Sequence, residues 1–224
     1  KSAGYPFYGW WIVLASSTMG AVSSGLTNSG FTVFFLPISR ELGISATAMS
    51  LVYSLARAQS GIAAPFVGWL ADKFGTRRLV LWGGLLTGIG LILLSRGSNV
   101  WHLLLLYGVV VAVGRTASVS PTLMATVNQW FVRRKALAMS ILVTSFTIGG
   151  AALVPVLALA SAQIGWRNTI LGSGIFLFLL TLPVVLVLRN RPEELGLYPD
   201  GEGPKDQTQP GQRQSDGASQ VFSV

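Results

Sequence analysis

Arg57 and Arg115 lie inside apolar stretches long enough to cross a bilayer. There an ionised side chain costs ~2.5–3.5 kcal/mol even on the lenient insertion scale, so it must face a partner, water or a ligand. The 8 acidic residues (Glu41, Asp72, Glu193, Glu194, Asp200, Glu202, Asp206, Asp216) all fall in expected loops or the tail. Neither arginine then has a carboxylate partner within the spans of this chain, and no proton-relay carboxylate is expected there. A guanidinium presents forked donors that match a carboxylate, so the chemistry these positions fit is recognition of a small organic anion. Helical spacing adds neighbours: Tyr53, Arg57, Ser60 and Ala64 share one face at i, i+4, i+7 and i+11, and Arg115, Ser118 and Thr122 share another. Ser17, Gly20, Ser24, Thr27 and Asn28 add polar positions on the first stretch. Tyr53, Asn28 and Ser118 join the two arginines as candidate substrate-binding residues. Helix packing is the competing reading for the small residues. For the arginines, the competing reading is bonding to helix carbonyls or to acids in a second half.

Other chemistries are excluded by composition. The chain has no cysteine and one histidine, His102, so neither a thiolate site nor a His-rich metal cluster can form, and no metal or cofactor is expected. His102 sits beside Trp101 at the end of a span, an interfacial position, and Trp10, Trp11 and Trp130 read as belt residues at the opposite interface. The net charge of +8 is not a nucleic-acid footprint, because the cations fall mostly in short gaps between apolar runs.

The elements that must carry the arginines are membrane helices. Of the 224 residues 51% are hydrophobic and 11% charged, against about 25% charged in soluble domains, and mean hydropathy is +0.58. Six stretches could cross about 30 Å of hydrocarbon: Trp10–Leu36, Ala48–Ala71, Leu79–Ser95, Trp101–Thr122, Ala136–Ala162 and Arg167–Leu188. An all-α polytopic membrane protein follows, with residues 1–9 as a cytoplasmic N-terminus, 10–188 as a transmembrane bundle and 189–224 as a cytoplasmic tail or linker. A barrel would need strict alternation, which Leu103 to Leu106 lack. With the N-terminus inside, Lys73, Arg77, Arg78, Arg133, Arg134, Lys135, Arg189 and Arg191 are cytoplasmic while Arg40, Arg96 and Arg167 are outside, so both termini are expected inside. At ~1.5 Å per residue, Arg57 then lies about 14 Å in from Ala48, and Arg115 about 21 Å in from Trp101.

Residues Gly68 to Arg78 satisfy G-x-x-x-D-[RK]-x-G-x-[RK]-[RK]. Gly68 allows close helix approach, Gly75 a tight reversal, and Asp72 is placed to accept from backbone donors or from Arg77 and Arg78. This run resembles the loop signature of the major facilitator superfamily, and by that resemblance Gly68, Asp72, Gly75, Arg77 and Arg78 form a conformational-switch loop. Trp130-Phe131-x-Arg133-Arg134-x-Ala136-x-Ala138, Gly165-Trp166-Arg167 and the run from Arg191 to Gly201 resemble the monocarboxylate and oxalate/formate branch. Ser145-x-x-x-Gly149-Gly150 followed by Pro155 is partly antiporter-like, whereas Arg115 departs from the small residues usual at its place. The resemblance implies a six-transmembrane-helix bundle, one half of a twelve-helix carrier. The half is made of two inverted three-helix repeats, with substrate near the midplane between halves. Implied partners are a small organic anion, membrane lipid, and a C-terminal six-helix half or a second copy, with no nucleic acid. The implied location is a plasma (inner) membrane. A six-helix channel or scaffold acting as a homo-oligomer is the alternative. An intramembrane serine protease is not supported, for there is no G-x-S-G and the one His is interfacial.

Overall fold

The computed structural model describes residues 8–190 and Pro192, and among these the regular structure is entirely helical. Helix α1 (Tyr8–Ser23) runs through a π-helical turn (Ser24–Ser29) into α2 (Gly30–Leu42). Helices α3 (Ala46–Phe74) and α4 (Thr76–Leu94) follow. Next come α5 (Val100–Leu105), a second π-helical turn (Leu106–Val111), α6 (Ala112–Ser118) and α7 (Ser120–Trp130). Helices α8 (Lys135–Ile164) and α9 (Trp166–Val187) complete the order.

Among the described residues, four stretches are long and apolar enough to cross a membrane: Thr76–Leu94, Val100–Trp130, Lys135–Ile164 and Trp166–Val187. The expected spans Trp10–Leu36 and Ala48–Ala71 are also helical, within Tyr8–Leu42 and Ala46–Phe74, but Ser, Thr, Gly, Asn and Arg dilute their apolar character. Observed helices overrun the apolar runs, most of all where the run ending at Thr122 continues to Trp130, since backbone hydrogen bonding does not stop where hydrocarbon does. Glu41, placed in a loop from sequence, belongs to the last turn of α2. Arg189 and Asn190, assigned to the tail, dock on the bundle. The remaining tail through Val224 apart from Pro192, and residues 1–7, lie outside the described residues.

The turns have local causes. Gly43 closes α2 at φ 63°, and Ser45 caps α3 by accepting from the Ala48 N–H at 3.2 Å. Single glycines with φ of 84° and 81°, Gly75 and Gly165, make the α3–α4 and α8–α9 corners. Val119 breaks the helix between α6 and α7 just ahead of Pro121. Pro121 has no N–H for the Ala117 carbonyl, and the Thr122 hydroxyl donates to it instead at 2.6 Å.

Beside an apolar core, several Ser and Thr side chains are buried, while many large apolar side chains face outward. Thr87, Thr122, Thr181 and Ser118 are fully buried, whereas Trp82, Ile62, Phe66, Leu159 and Leu186 are exposed. Water offers no reason for that arrangement and lipid does. Helix α4 packs on α9 and α6, and α1 with its π-helical turn packs on α8. At Gly149 the approach leaves no room for a side chain, since a Cβ there would land on the Ala21 backbone. Trp130, assigned to the interface belt from sequence, is instead fully buried, its Nε1 donating to the Arg189 carbonyl at 3.2 Å.

Candidate functional site

Five elements line an open-sided cavity of about 960 Å³ that both arginines face. The first π-helical turn brings Ser24, Asn28 and Ser29, α3 brings Arg57, Ser60, Gly61 and Ala64, and the α6–α7 break brings Arg115, Thr116, Ser120, Pro121 and Met124. Helix α8 closes the wall with Phe146, Thr147, Gly150 and Ala151. No Asp or Glu is among these lining residues, so the fixed charge of the cavity is that of two guanidinium groups. The apolar remainder of the lining suits the hydrocarbon part of an organic ligand.

Each arginine is held by a hydroxyl from α3. Arg115 Nη2 donates to Ser60 Oγ at 3.1 Å, and Ser60 donates in turn to the Ala56 carbonyl at 2.8 Å. Arg57 Nε donates to the Tyr53 hydroxyl at 3.2 Å, with the guanidinium 5.3 Å from the Tyr53 ring centre. Tyr53 then donates to Asn28 Oδ1 at 3.2 Å. These contacts engage a small share of the five N–H donors on each guanidinium. Neither arginine contacts a helix carbonyl or a carboxylate among the described residues.

The structure therefore brings Arg57, Arg115, Tyr53 and Asn28 together, with Tyr53 lining a crevice of about 10 Å³ behind the main cavity instead of the cavity itself. Ser118 does not join them. It is fully buried, its hydroxyl sits 3.5 Å from the Arg115 carbonyl, and its backbone packs against Gly83 of α4. Tyr107, in the second π-helical turn, had no signal in the run Leu103 to Val111 yet lines the crevice and donates to the Thr27 carbonyl at 2.8 Å. Phe146, Thr147 and Met124 were missed for the same reason, being ordinary members of apolar helices.

The loop residues stand elsewhere, with Gly68 about 16 Å and Asp72 about 22 Å along α3 from Arg57 by helical rise. A Cβ on Gly68 would meet nothing within 4 Å, so no close helix approach occurs there among the described residues. Asp72 is exposed and does not pair with Arg77, whose Nε donates to the Val185 carbonyl at 2.9 Å. Asn190 Oδ1 accepts from the Arg77 N–H at 2.9 Å and from Thr76 at 3.4 Å, beside Gly75. Arg78 is exposed.

A helical bundle with polar glycine-lined contacts inside, an apolar exterior and this loop motif is matched by one family model, the Major Facilitator Superfamily, over residues 17–218. The chain belongs to the Major Facilitator Superfamily. It is 26% identical over 182 residues to "Uncharacterized MFS-type transporter YcxA" of Bacillus subtilis (strain 168), covering 81% of this chain and 45% of that protein. It is 30% identical over 164 residues to "Monocarboxylate transporter 13" of Bos taurus, covering 73% of this chain and 38% of that one. With "Monocarboxylate transporter 12" of Rattus norvegicus the identity is 28% over 201 residues, covering 89% and 40%. The chain thus spans less than half the length of these relatives. The chain is therefore a member of a family of integral, multi-pass membrane proteins, and these relatives carry transporter names.

Proposed function

We propose that this chain is the N-terminal half of a twelve-helix carrier that moves small organic anions, mono- or dicarboxylates, by alternating access. The observation that carries the reading is one cavity with two guanidinium groups and no carboxylate. In a low-dielectric site that charge is satisfied best by an anion, and a forked donor recognises a carboxylate by geometry as well as charge. The monocarboxylate names of two relatives agree with it, as does the share of each relative that the chain covers. On this reading residues 10–188 cross the membrane six times, with both termini cytoplasmic in a plasma (inner) membrane. A second six-helix half, or a second copy, covers the open side of the cavity. Arg57 and Arg115 contact the carboxylate, and Asn28 adds a neutral contact.

Counterflow in proteoliposomes of the full-length protein tests this, with labelled acetate, pyruvate, oxalate and succinate as probes. Lysine at position 57 or 115 keeps the charge and loses the fork, so affinity falls; Arg57→Gln and Arg115→Gln lose more, about tenfold or beyond. Unchanged affinity and rate in both Gln variants would refute the anion reading. A pore of identical subunits, the alternative, would show neither saturation nor counterflow.

A further inference from the structure

Phe31 of α2 is sandwiched between two tyrosines. Its ring stacks on Tyr107 at 4.4 Å between centres and 28° between planes, and on Tyr53 at 5.2 Å and 21°. One end of this column is tied to main chain, because the Tyr107 hydroxyl donates to the Thr27 carbonyl at 2.8 Å. The other end returns to the next residue, because the Tyr53 hydroxyl donates to Asn28 Oδ1. Thr27 and Asn28 belong to the same π-helical turn, so the three rings form a closed circuit anchored twice on one short segment. Arg57 hangs from this circuit by Nε.

The hydrogen bonds run in one direction. Arg57 Nε donates to the Tyr53 oxygen, and the Tyr53 hydroxyl donates its single proton to Asn28 Oδ1. Asn28 therefore presents its carbonyl oxygen to Tyr53, and its two amide N–H donors remain for the cavity that it lines. With Nε engaged, Arg57 is left with its Nη1/Nη2 edge, the end-on fork for one carboxylate. A long side chain held this way loses less freedom on ligand binding than a mobile one.

We propose that Tyr107, Phe31 and Tyr53 are positioning residues that fix Arg57 and Asn28 as a preset pair of donors, so that Tyr107 sets anion affinity without touching the anion. The crevice that Tyr107 lines, about 10 Å³, holds about one water and no carboxylate. This rests on the anion reading of Arg57 given above.

The experiment is a double-mutant cycle on the full-length protein, scored as KM and Vmax for the labelled carboxylate it transports best. Tyr107→Phe keeps both ring stacks and removes the Thr27 bond, and KM should rise about three- to tenfold at unchanged Vmax. Tyr53→Phe removes two hydrogen bonds and should raise KM by about tenfold or more. In the Arg57→Gln background both substitutions should raise KM by a clearly smaller factor than in the parent protein, because one of the two donors they position is gone and only Asn28 remains. A merely structural role would lower folded protein and Vmax and leave KM alone. An unchanged KM in Tyr107→Phe, or the same fold-loss with and without Arg57, overturns the column. An unchanged KM in Arg57→Gln itself overturns the anion reading, and the column with it.

Discussion

Arg77 Nε donates to the main-chain carbonyl of Val185 across 2.9 Å, so a basic residue of the α3–α4 corner caps the C-terminal turn of α9. Tyr8 donates to the Val187 carbonyl at 2.8 Å, so two carbonyls of the last turn of α9 are satisfied by side chains from two other elements, and Trp130 donates to the Arg189 carbonyl just beyond the helix. A cation there also meets the negative end of the helix dipole. Arg77→Gln should cost about 1–2 kcal/mol. Arg78→Gln, at an exposed position, should stay within about 0.5 kcal/mol. Thermal melting of the purified protein in detergent compares the two, and equal melting points would show that the Arg77 cap contributes nothing.

Glu41 accepts from Trp166 Nε1 and from Arg167 Nε at 2.9 Å, while Arg167 also donates to the Ser95 and Gly97 carbonyls, each at 3.0 Å. The Trp166 bond, then the Arg167 bond, holds the Glu41 carboxyl below its ordinary value of 4.5. A depressed carboxyl contributes stability above its unfolded value and loses it as pH falls through the lower folded one. Melting temperature should therefore drop as pH is lowered below about 4.5. Glu41→Gln should remove that part of the pH dependence, and parallel slopes for the two proteins would contradict this account.

Membrane orientation is tested with single cysteines in a cysteine-free background. Arg40 and Arg78 are both exposed. Arg40→Cys should react with an impermeant maleimide applied to intact cells, and Arg78→Cys only after permeabilisation. The reverse pattern would invert the proposed topology. Thr76 is 4% exposed, too buried to report.

What was legible in the sequence was whatever is chemically costly in lipid. A guanidinium inside an apolar run announces itself, and the spacing from Tyr53 through Arg57 to Ser60 survives because α3 is unbroken there. Ser118 lies away from the cavity because helical arithmetic from Arg115 says which residues are neighbours on a helix but not which neighbours another helix covers, and α4 covers this one. Thr122 lay beyond a break that residue spacing does not report, and its hydroxyl serves the carbonyl orphaned by Pro121. The π-helical turns have no compositional mark, so Tyr107 could not be told from a core aromatic. Closeness in sequence offers Asp72 backbone donors or Arg77 and Arg78 as partners, whereas Arg77 reaches a carbonyl 108 residues away.

The contact of Gly149 with Ala21 has a mechanical consequence. Two helices separated by side chains can slide, because rotamer changes act as adjustable spacers between them. Main chain against main chain has no such spacer, and a Cβ on Gly25 would likewise strike the Gly149 carbonyl. Helix α1 with its π-helical turn therefore meets α8 main chain to main chain at the level of Asn28, Thr147 and Gly150. Across the cavity, Gly61 of α3 has nothing within 4 Å of its Cβ position. The cavity thus has one wall where main chain meets main chain, and Arg57 stands on the wall opposite it.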